Sequence, residues 1–495
     1  MPNGICKGNI AMPEPKLPPN RRPSQTKIVA TIGPACEKIE QLVELIHVGV
    51  DVFRVNTVHG SREEHQRRVD DVRRAGREAG QPVAILVDLA GPKIRLGELP
   101  GGTLQCVSGQ FVRFIRGEQT TKPGDLVTTY GPLVDELAVG DRVLLADGLV
   151  ALVVERVEPD AVTCHVIQSG QVRSRQGVNL PGVKLSVPTL GLHDRDNAVW
   201  AARAGVDFLG LSFVRSAADV RQLQSLIADQ KSTAQVVAKI EKPEAVEQIE
   251  EIVQAADAVM VARGDLGVEI DIAEVPVVQK RIIGVAHRLH KPVIIATQML
   301  ESMHHSRIPT RAEATDVANA ILDGADACML SGETAVGEYP REAVEMMHRI
   351  ALSTEPLVRE RAASRVNGLD PTDEDPITEA TAMAAGRLAE AIDARMVLVA
   401  TASGRTALRL SKDRLFVPTV GVSDSDAALR RMCLYWGVIP LAGVPTGSPS
   451  EMMEHVVAKA REAGYLAPGD RVVLLAGTGL KAAEHNMIVI HELES

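Results

Sequence analysis

Lys239 and Glu241 stand two residues apart in an apolar run, and Asp265 follows the next such run within the stretch Ala-Arg-Gly-Asp-Leu-Gly. Residues two apart in a strand share a side, so this ammonium and this carboxylate face the same way. Glu241 and Asp265, at the ends of adjacent runs, can converge on one hard divalent cation and leave positions for water and substrate oxygens, as Mg²⁺ prefers. A lysine beside such a cation neutralises a transferring anion. Lysine plus magnesium suits phosphoryl transfer, in which catalysis is mostly charge stabilisation and positioning. Gly264 lies in a strand-to-helix turn whose amides can bind a carboxylate or phosphate. Other polar groupings carry less. His287 and His290, and His304 with His305, have no third ligand in a metal-binding pattern and read as solvated surface histidines. Thr310 and Glu313 read as the two halves of a helix-capping box.

These residues need a scaffold that points them at one place. From Lys27 onward eight short apolar runs (28–32, 52–56, 84–89, 208–213, 236–240, 258–262, 293–297 and 327–331) are each followed by a segment with helical spacing. That is the count of a TIM (β/α)8 barrel in the α/β class, whose active site lies at the C-terminal strand ends. The runs deliver Thr31, Arg54 with Asn56, Asp88, Ser212, Lys239 with Glu241, Arg263 with Asp265, Thr297 with Gln298, and Ser331 with Glu333 to those ends. Because helices cover the outer face of a barrel strand, a charge such as Lys239 must point into the barrel or its mouth. Two segments interrupt the repeat. Residues 92–187 alternate with period two, as in 151–157 and 161–167 across a turn at Pro159, and read as an inserted β-barrel lid domain above the active-site face. Residues 359–495 begin polar and proline-rich and then give five further strands at 396–400, 419–422, 438–441, 471–476 and 487–491, a C-terminal α/β regulatory domain. The expected layout is a flexible tail over 1–23, which holds six of the 28 prolines, a catalytic barrel over 24–91 and 188–358, the lid, and the C-terminal domain.

Composition removes other classes of function. A net charge of −10 offers no basic field to a phosphate backbone, and 12 aromatic residues in 495 leave few stacking platforms, so no nucleic-acid partner is expected. No apolar run is long enough to span a bilayer and no signal core opens the chain, which predicts a cytoplasmic protein with no membrane partner. Six scattered cysteines without a C-x-x-C pair predict reduced, buried thiols.

The stretches 26–34 (TKIVATIGP), 259–269 (VMVARGDLGVE), 296–303 (ATQMLESM), 309–313 (PTRAE) and 329–337 (MLSGETAVG) closely resemble pyruvate kinase, over nearly the whole chain. The resemblance implies transfer of the phosphoryl group of phosphoenolpyruvate to ADP, giving ATP and an enolate that is protonated to pyruvate. It implies Mg²⁺, with Mn²⁺ as a substitute, held by Glu241 and Asp265. Lys239 would stabilise the phosphoryl group and enolate oxygen, Arg263 with the Gly264 and Asp265 amides would bind substrate, and Thr297 would serve the enolate face. It places Arg54, Asn56, His59 and Arg95 around the nucleotide phosphates, Ser212 near the monovalent-ion region, and Ser331 with Glu333 in a supporting proton network. A homotetramer is implied as well. Departures matter. Where the family commonly has Asn-Phe-Ser-His-Gly and Asp-Thr-Lys-Gly-Pro-Glu, this chain has Asn56-Thr57-Val58-His59-Gly60 and Asp88-Leu89-Ala90-Gly91-Pro92-Lys93. Two hydroxyls that would coordinate K⁺ are missing and a fixed charge is gained, so K⁺ is expected not to be required, with Lys93 in its stead. His193 stands in place of a common lysine. Ser403, Gly404, Arg405 and Thr406 resemble the family's effector loop for a phosphorylated metabolite, although Ala402 replaces a frequent lysine and residues 477–486 depart from the pattern. A Mg²⁺-dependent lyase acting on 2-oxo acids would explain the carboxylates but not Lys239 or Thr297, and a non-catalytic metabolite sensor would not need Lys239, Glu241, Asp265 and Thr297 together.

Overall fold

The computed structural model describes residues 24–362, 376–445, 447–477 and 486–494. The expected tail lies outside them, as do most of the proline-rich stretch after the barrel and most of 477–486. Eight parallel strands close a barrel: Lys27–Thr31, Val52–Asn56, Ala84–Asp88, Phe208–Leu211, Gln235–Ile240, Ala258–Ala262, Val293–Ala296 and Ala327–Leu330. These are called the first to eighth strands below. Val237, Lys239 and Glu241 alternate with Val236, Ala238 and Ile240. The second set packs with the helices, whereas Val237 joins Val29, Leu86, Met260 and Ile294 in an inner cluster. That alternation turns Lys239 and Glu241 into the barrel mouth.

Between the third and fourth strands the chain forms the expected β insertion, a six-stranded sheet plus a two-stranded one. Its longest hairpin pairs Val150–Glu158 with Ala161–Gln168 across Pro159 and Asp160. The C-terminal part carries a five-stranded sheet, parallel except for its last strand, Met487–Glu492, which runs antiparallel to Arg471–Ala476. The helix Pro340–Ala362 continues past the boundary expected at 359. The five described cysteines are free and buried, and no described helix is long and apolar enough to cross a membrane.

The opposite end of the barrel has a repeat of its own. An aspartate precedes each even-numbered strand, and each accepts the amide of a residue at the start of the preceding odd strand. Asp51 takes Ile28 N (2.9 Å), Asp207 takes Ile85 N (2.8 Å), Asp257 takes Val236 N (2.8 Å) and Asp326 takes Val293 N (2.7 Å). Two of the four also hold the C-terminal domain. Asp207 binds Arg73 and Arg430 at 2.8 and 2.7 Å, and fully buried Asp326 binds Lys412 and Arg414 at 2.6 and 3.0 Å.

His287 corrects a sequence expectation: it is not a solvated surface residue. Its Nε2 lies 2.8 Å from Arg414 Nη2, which also donates to Gly324 O. The same nitrogen lies 2.8 Å from Gly324 O, so the ring edge sits between a guanidinium and a carbonyl. Burial first, then the Arg414 and Lys412 charges, push its pKa down to about 3. His290 lies 3.8 Å from Glu379, His304 packs against Gly332, and only His305 is largely exposed, beside Glu338. A folded state that refuses a proton which the unfolded chain accepts near pH 6.5 loses stability as pH falls from that value toward about 3. The thermal midpoint should therefore drop between pH 6.5 and 4, and His287→Gln, which keeps a hydrogen-bonding group there without titrating, should drop less; parallel curves for the two proteins would refute this origin.

Candidate active site

Asp88, at the end of the third strand, is the hub of the barrel mouth. Its Oδ2 accepts Arg54 Nε and Nη2 at 2.9 and 2.6 Å and lies 3.3 Å from Lys239 Nζ. The position is crowded: a Cβ on Gly210 of the fourth strand would come within 2.7 Å of Asp88 Oδ1, so glycine is required there. Lys239 completes its shell with Glu241 Oε1 and Ser212 Oγ, both at 2.8 Å. Ser212 passes its own proton to Leu89 O at 2.6 Å. Ser212 therefore fixes Lys239, a role the sequence reading did not assign. Asp88 was placed at the mouth by sequence but not recognised as the anchor of both cations; the signal was its position, two residues after Leu86 on the inward side of its strand.

Burial opposes the charge on Lys239, yet Asp88 and Glu241 together outweigh it and lift its pKa above the ordinary lysine value. Burial likewise works to raise the Asp88 pKa, and Lys239 and Arg54 overcome it, holding the carboxyl below its usual range. Glu241 goes the other way. Burial raises its pKa, Lys239 opposes that, and the nearby Asp265 carboxylate adds to it.

Glu241 is fully buried at the end of the fifth strand, its Oε2 accepting the amide of Phe213 at 2.8 Å. Its Oε1 meets Lys239 Nζ at 2.8 Å and accepts no other hydrogen bond. A buried acceptor with an unused lone pair, beside a second carboxylate that repels it, fits a hard divalent cation. Among the described residues no group of three or more His, Cys, Asp or Glu could hold a metal ion alone. Glu241 and Asp265 could hold such an ion with the remaining positions left to water and substrate, as Mg²⁺ prefers.

The turn after the sixth strand begins the helix Arg263–Glu269. Arg263, expected to bind substrate, is engaged within the protein. Its guanidinium binds Asp316 (2.7 Å), Thr297 O (2.8 Å) and Met299 Sδ. The Gly264 amide, expected to receive a substrate carboxylate, donates to Thr297 Oγ1 at 2.7 Å. Thr297 and Gln298 both have positive φ, +71° and +55°. At the eighth strand Glu333 accepts the amides of Leu300 and Ser331, while Ser331 Oγ is buried without a hydrogen-bond partner.

The expected nucleotide residues separate into two groups. Arg54 and Asn56 stand on the same side of the second strand, Asn56 Oδ1 capping Val58 N at 3.1 Å, and His59 follows in the exposed turn. Arg95 belongs to the insertion, tied there to Thr129 and Arg175 O. His193 is exposed and contacts Asn197. Lys93 is exposed at the root of the insertion, makes no ion pair among the described residues, and borders a cavity of about 30 Å³ beside the Lys242–Glu269 pair. In the C-terminal domain Gly404, at φ +89°, donates its amide to Thr401 Oγ1, and Arg405 donates its amide to Ser403 Oγ at 3.4 Å. Two of the amides expected to be free for a phosphate are thus capped locally. Thr406 is buried, and Arg405 is exposed.

The family model described as pyruvate kinase, barrel domain, matches residues 23–344, and that described as pyruvate kinase, alpha/beta domain, matches 379–491. The chain is 41% identical over 473 residues to a pyruvate kinase of Geobacillus stearothermophilus, covering 94% of this chain and 80% of the relative. It is 39% identical over 474 residues to that of Bacillus licheniformis, with the same coverage. The crystal structure of a pyruvate kinase from Cryptosporidium parvum superposes with a TM-score of 0.88 at 33% identity, covering 95% of this chain and 96% of the other.

Replacing one oxygen of the buried Glu241 carboxylate should weaken cation binding. Glu241→Gln is expected to lower Mn²⁺ affinity at least tenfold, read by water-proton relaxation, with an unchanged far-ultraviolet circular dichroism spectrum; wild-type affinity in the variant would remove Glu241 from the metal site.

Proposed function

The chain belongs to the pyruvate kinase family of transferases, and we propose that its barrel mouth moves the phosphoryl group of phosphoenolpyruvate to ADP by the residues assembled around Asp88. That family membership implies phosphoenolpyruvate, ADP, ATP and pyruvate as reactants and a divalent metal requirement. The observation that carries the assignment of roles is the buried cluster of Asp88, Lys239, Glu241 and Ser212. Lys239 stays protonated there and faces the mouth, so it stabilises the negative charge spread over the transferring group and the enolate oxygen. Glu241 and Asp265 hold Mg²⁺. When bound, the ion would supply positive charge against the negative charge that develops on the reacting oxygens. The phosphorus–oxygen bond to the enol breaks as one to the terminal oxygen of ADP forms, and the enolate left behind takes a proton at carbon to give pyruvate. Thr297 serves that protonation, its hydroxyl ordering the proton-donating group. Arg54, Asn56, His59 and Arg95 bind nucleotide phosphates, Arg95 arriving from the insertion, which acts as a lid that excludes water.

A cytoplasmic homotetramer is the expected form, and sedimentation equilibrium measures it. K⁺ is not needed in this reading. Val58 and Leu89 lack side-chain oxygens, and Lys93, on a flexible stem at the lid root, supplies the unit charge once the lid closes. The loop of Ser403, Gly404, Arg405 and Thr406 binds a phosphorylated metabolite, which would displace the local hydroxyl caps.

Three measurements test these assignments. In a coupled assay with phosphoenolpyruvate, ADP and Mg²⁺ the wild type should form pyruvate, and Lys239→Met should lose at least two orders of magnitude in kcat, about 1.4 kcal/mol per factor of ten; a variant keeping a tenth of wild-type turnover would acquit Lys239. In tetramethylammonium buffer, added K⁺ should change the wild-type rate by less than about twofold, whereas a rise above fivefold would overturn charge replacement. Arg405→Ala should abolish activation by any phosphorylated metabolite that shifts the saturation curve and leave basal turnover unchanged; if none shifts it, the loop has no such role.

A further inference from the structure

Thr297 and its successor are consecutive residues with side chains in the left-handed region, a conformation that such residues rarely adopt. Something must impose it. Both polar ends of Thr297 are gripped from the turn that follows the sixth strand. Arg263 Nη2 donates to Thr297 O at 2.8 Å, and the next residue's amide, Gly264 N, donates to Thr297 Oγ1 at 2.7 Å. The hydroxyl then passes its proton to Ala296 O at 2.6 Å. Arg263 is itself immobilised, because Nη1 meets both carboxylate oxygens of Asp316, at 2.8 and 2.7 Å, from the helix Arg311–Asp323. Its side chain is only 12% exposed. A planar guanidinium can bridge a carboxylate and a backbone carbonyl at once, with its donors in a fixed fork. Arg263 thus spans from a helix outside the barrel to the carbonyl of a residue at the mouth.

We propose that Arg263, held by Asp316, is a positioning residue for the reaction: it keeps the Thr297 backbone in the left-handed conformation that aims the hydroxyl at the Gly264 amide. Its effect on turnover is exercised through Thr297. The proposal rests on the role assigned above to Thr297 in protonating the enolate. It also explains why an arginine beside the anion-binding turn is engaged within the protein.

Acting through one residue leaves a signature in a double-mutant cycle. Solvent-hydrogen exchange into pyruvate, which reports enolisation, is measured with Mg²⁺ in wild type, Thr297→Ala, Arg263→Met and the double variant, alongside forward turnover. Arg263→Met should lower exchange at least tenfold and forward kcat at least threefold less than that, with the KM for phosphoenolpyruvate within about threefold of wild type. Added to Thr297→Ala, it should cost less than a further threefold. Arg263→Lys, which keeps charge and stem but not the fork, should fall in the same direction by a smaller factor and serves if the methionine variant does not fold. Gln298→Gly, which relaxes the left-handed constraint, should recover at least threefold of the exchange lost in either Arg263 variant. If Thr297→Ala lowers exchange and the Arg263 loss multiplies in full upon it, the positioning proposal is overturned while the role of Thr297 stands. If Thr297→Ala leaves exchange unchanged, both fall.

Discussion

An ammonium inside the mouth of a packed barrel remains charged only if carboxylates are buried with it, and the pairing of Lys239 with Asp88 and Glu241 meets that condition. Asp88 is shared with Arg54, so two cations and two carboxylates form one network in which each buried charge has a partner. The rest of the mouth is arranged around it. Gly210 leaves room for the Asp88 carboxylate, Ser212 fills the lysine's third donor direction, and the Phe213 amide turns toward Glu241 from a residue with φ of +55°. Left-handed residues with side chains follow both the fourth and the seventh strand, at Phe213 and at Thr297 with Gln298. Such backbone persists only where the surroundings over-determine it. Here those surroundings are charged side chains, Glu241 in one case and Arg263 in the other.

The other end of the barrel uses the same physics for a different purpose. Each of the four aspartates closes an open amide at the start of an odd strand, a group that no neighbouring strand reaches. Asp207 and Asp326 have a second carboxylate edge to spare, and the C-terminal domain attaches there through Arg430, Lys412 and Arg414. Asp326 precedes the eighth strand, whose far end leads into Ser331 and Glu333, and Asp207 precedes the fourth, whose far end leads into Ser212. The C-terminal domain therefore grips the barrel through the bases of two strands whose tops carry residues of the mouth.

Much of this was legible in residue order. Period-two spacing told that Lys239 and Glu241 point the same way, and barrel geometry told that the way is inward. The aspartate repeat was legible too, in Gly-Val-Asp at 49–51 and 205–207, Ala-Ala-Asp at 255–257 and Gly-Ala-Asp at 324–326. His287 was not legible. On its helix it looks like a surface residue, and only the docking of Arg414, 127 positions away, buries it.

What the sequence determined by itself was the set of elements and the type of chemistry, because strand period, turn residues and the pairing of lysine with carboxylates are local properties. The tertiary structure decided where the long side chains go. Arg263 and Lys93 each stand beside the expected site, yet one turns to Asp316, 53 residues later in the chain, and the other stays exposed at the root of the β insertion. A flexible charged side chain takes its direction from whichever opposite charge or carbonyl the fold brings within reach, and that neighbour is set by the packing of distant segments rather than by the residues on either side.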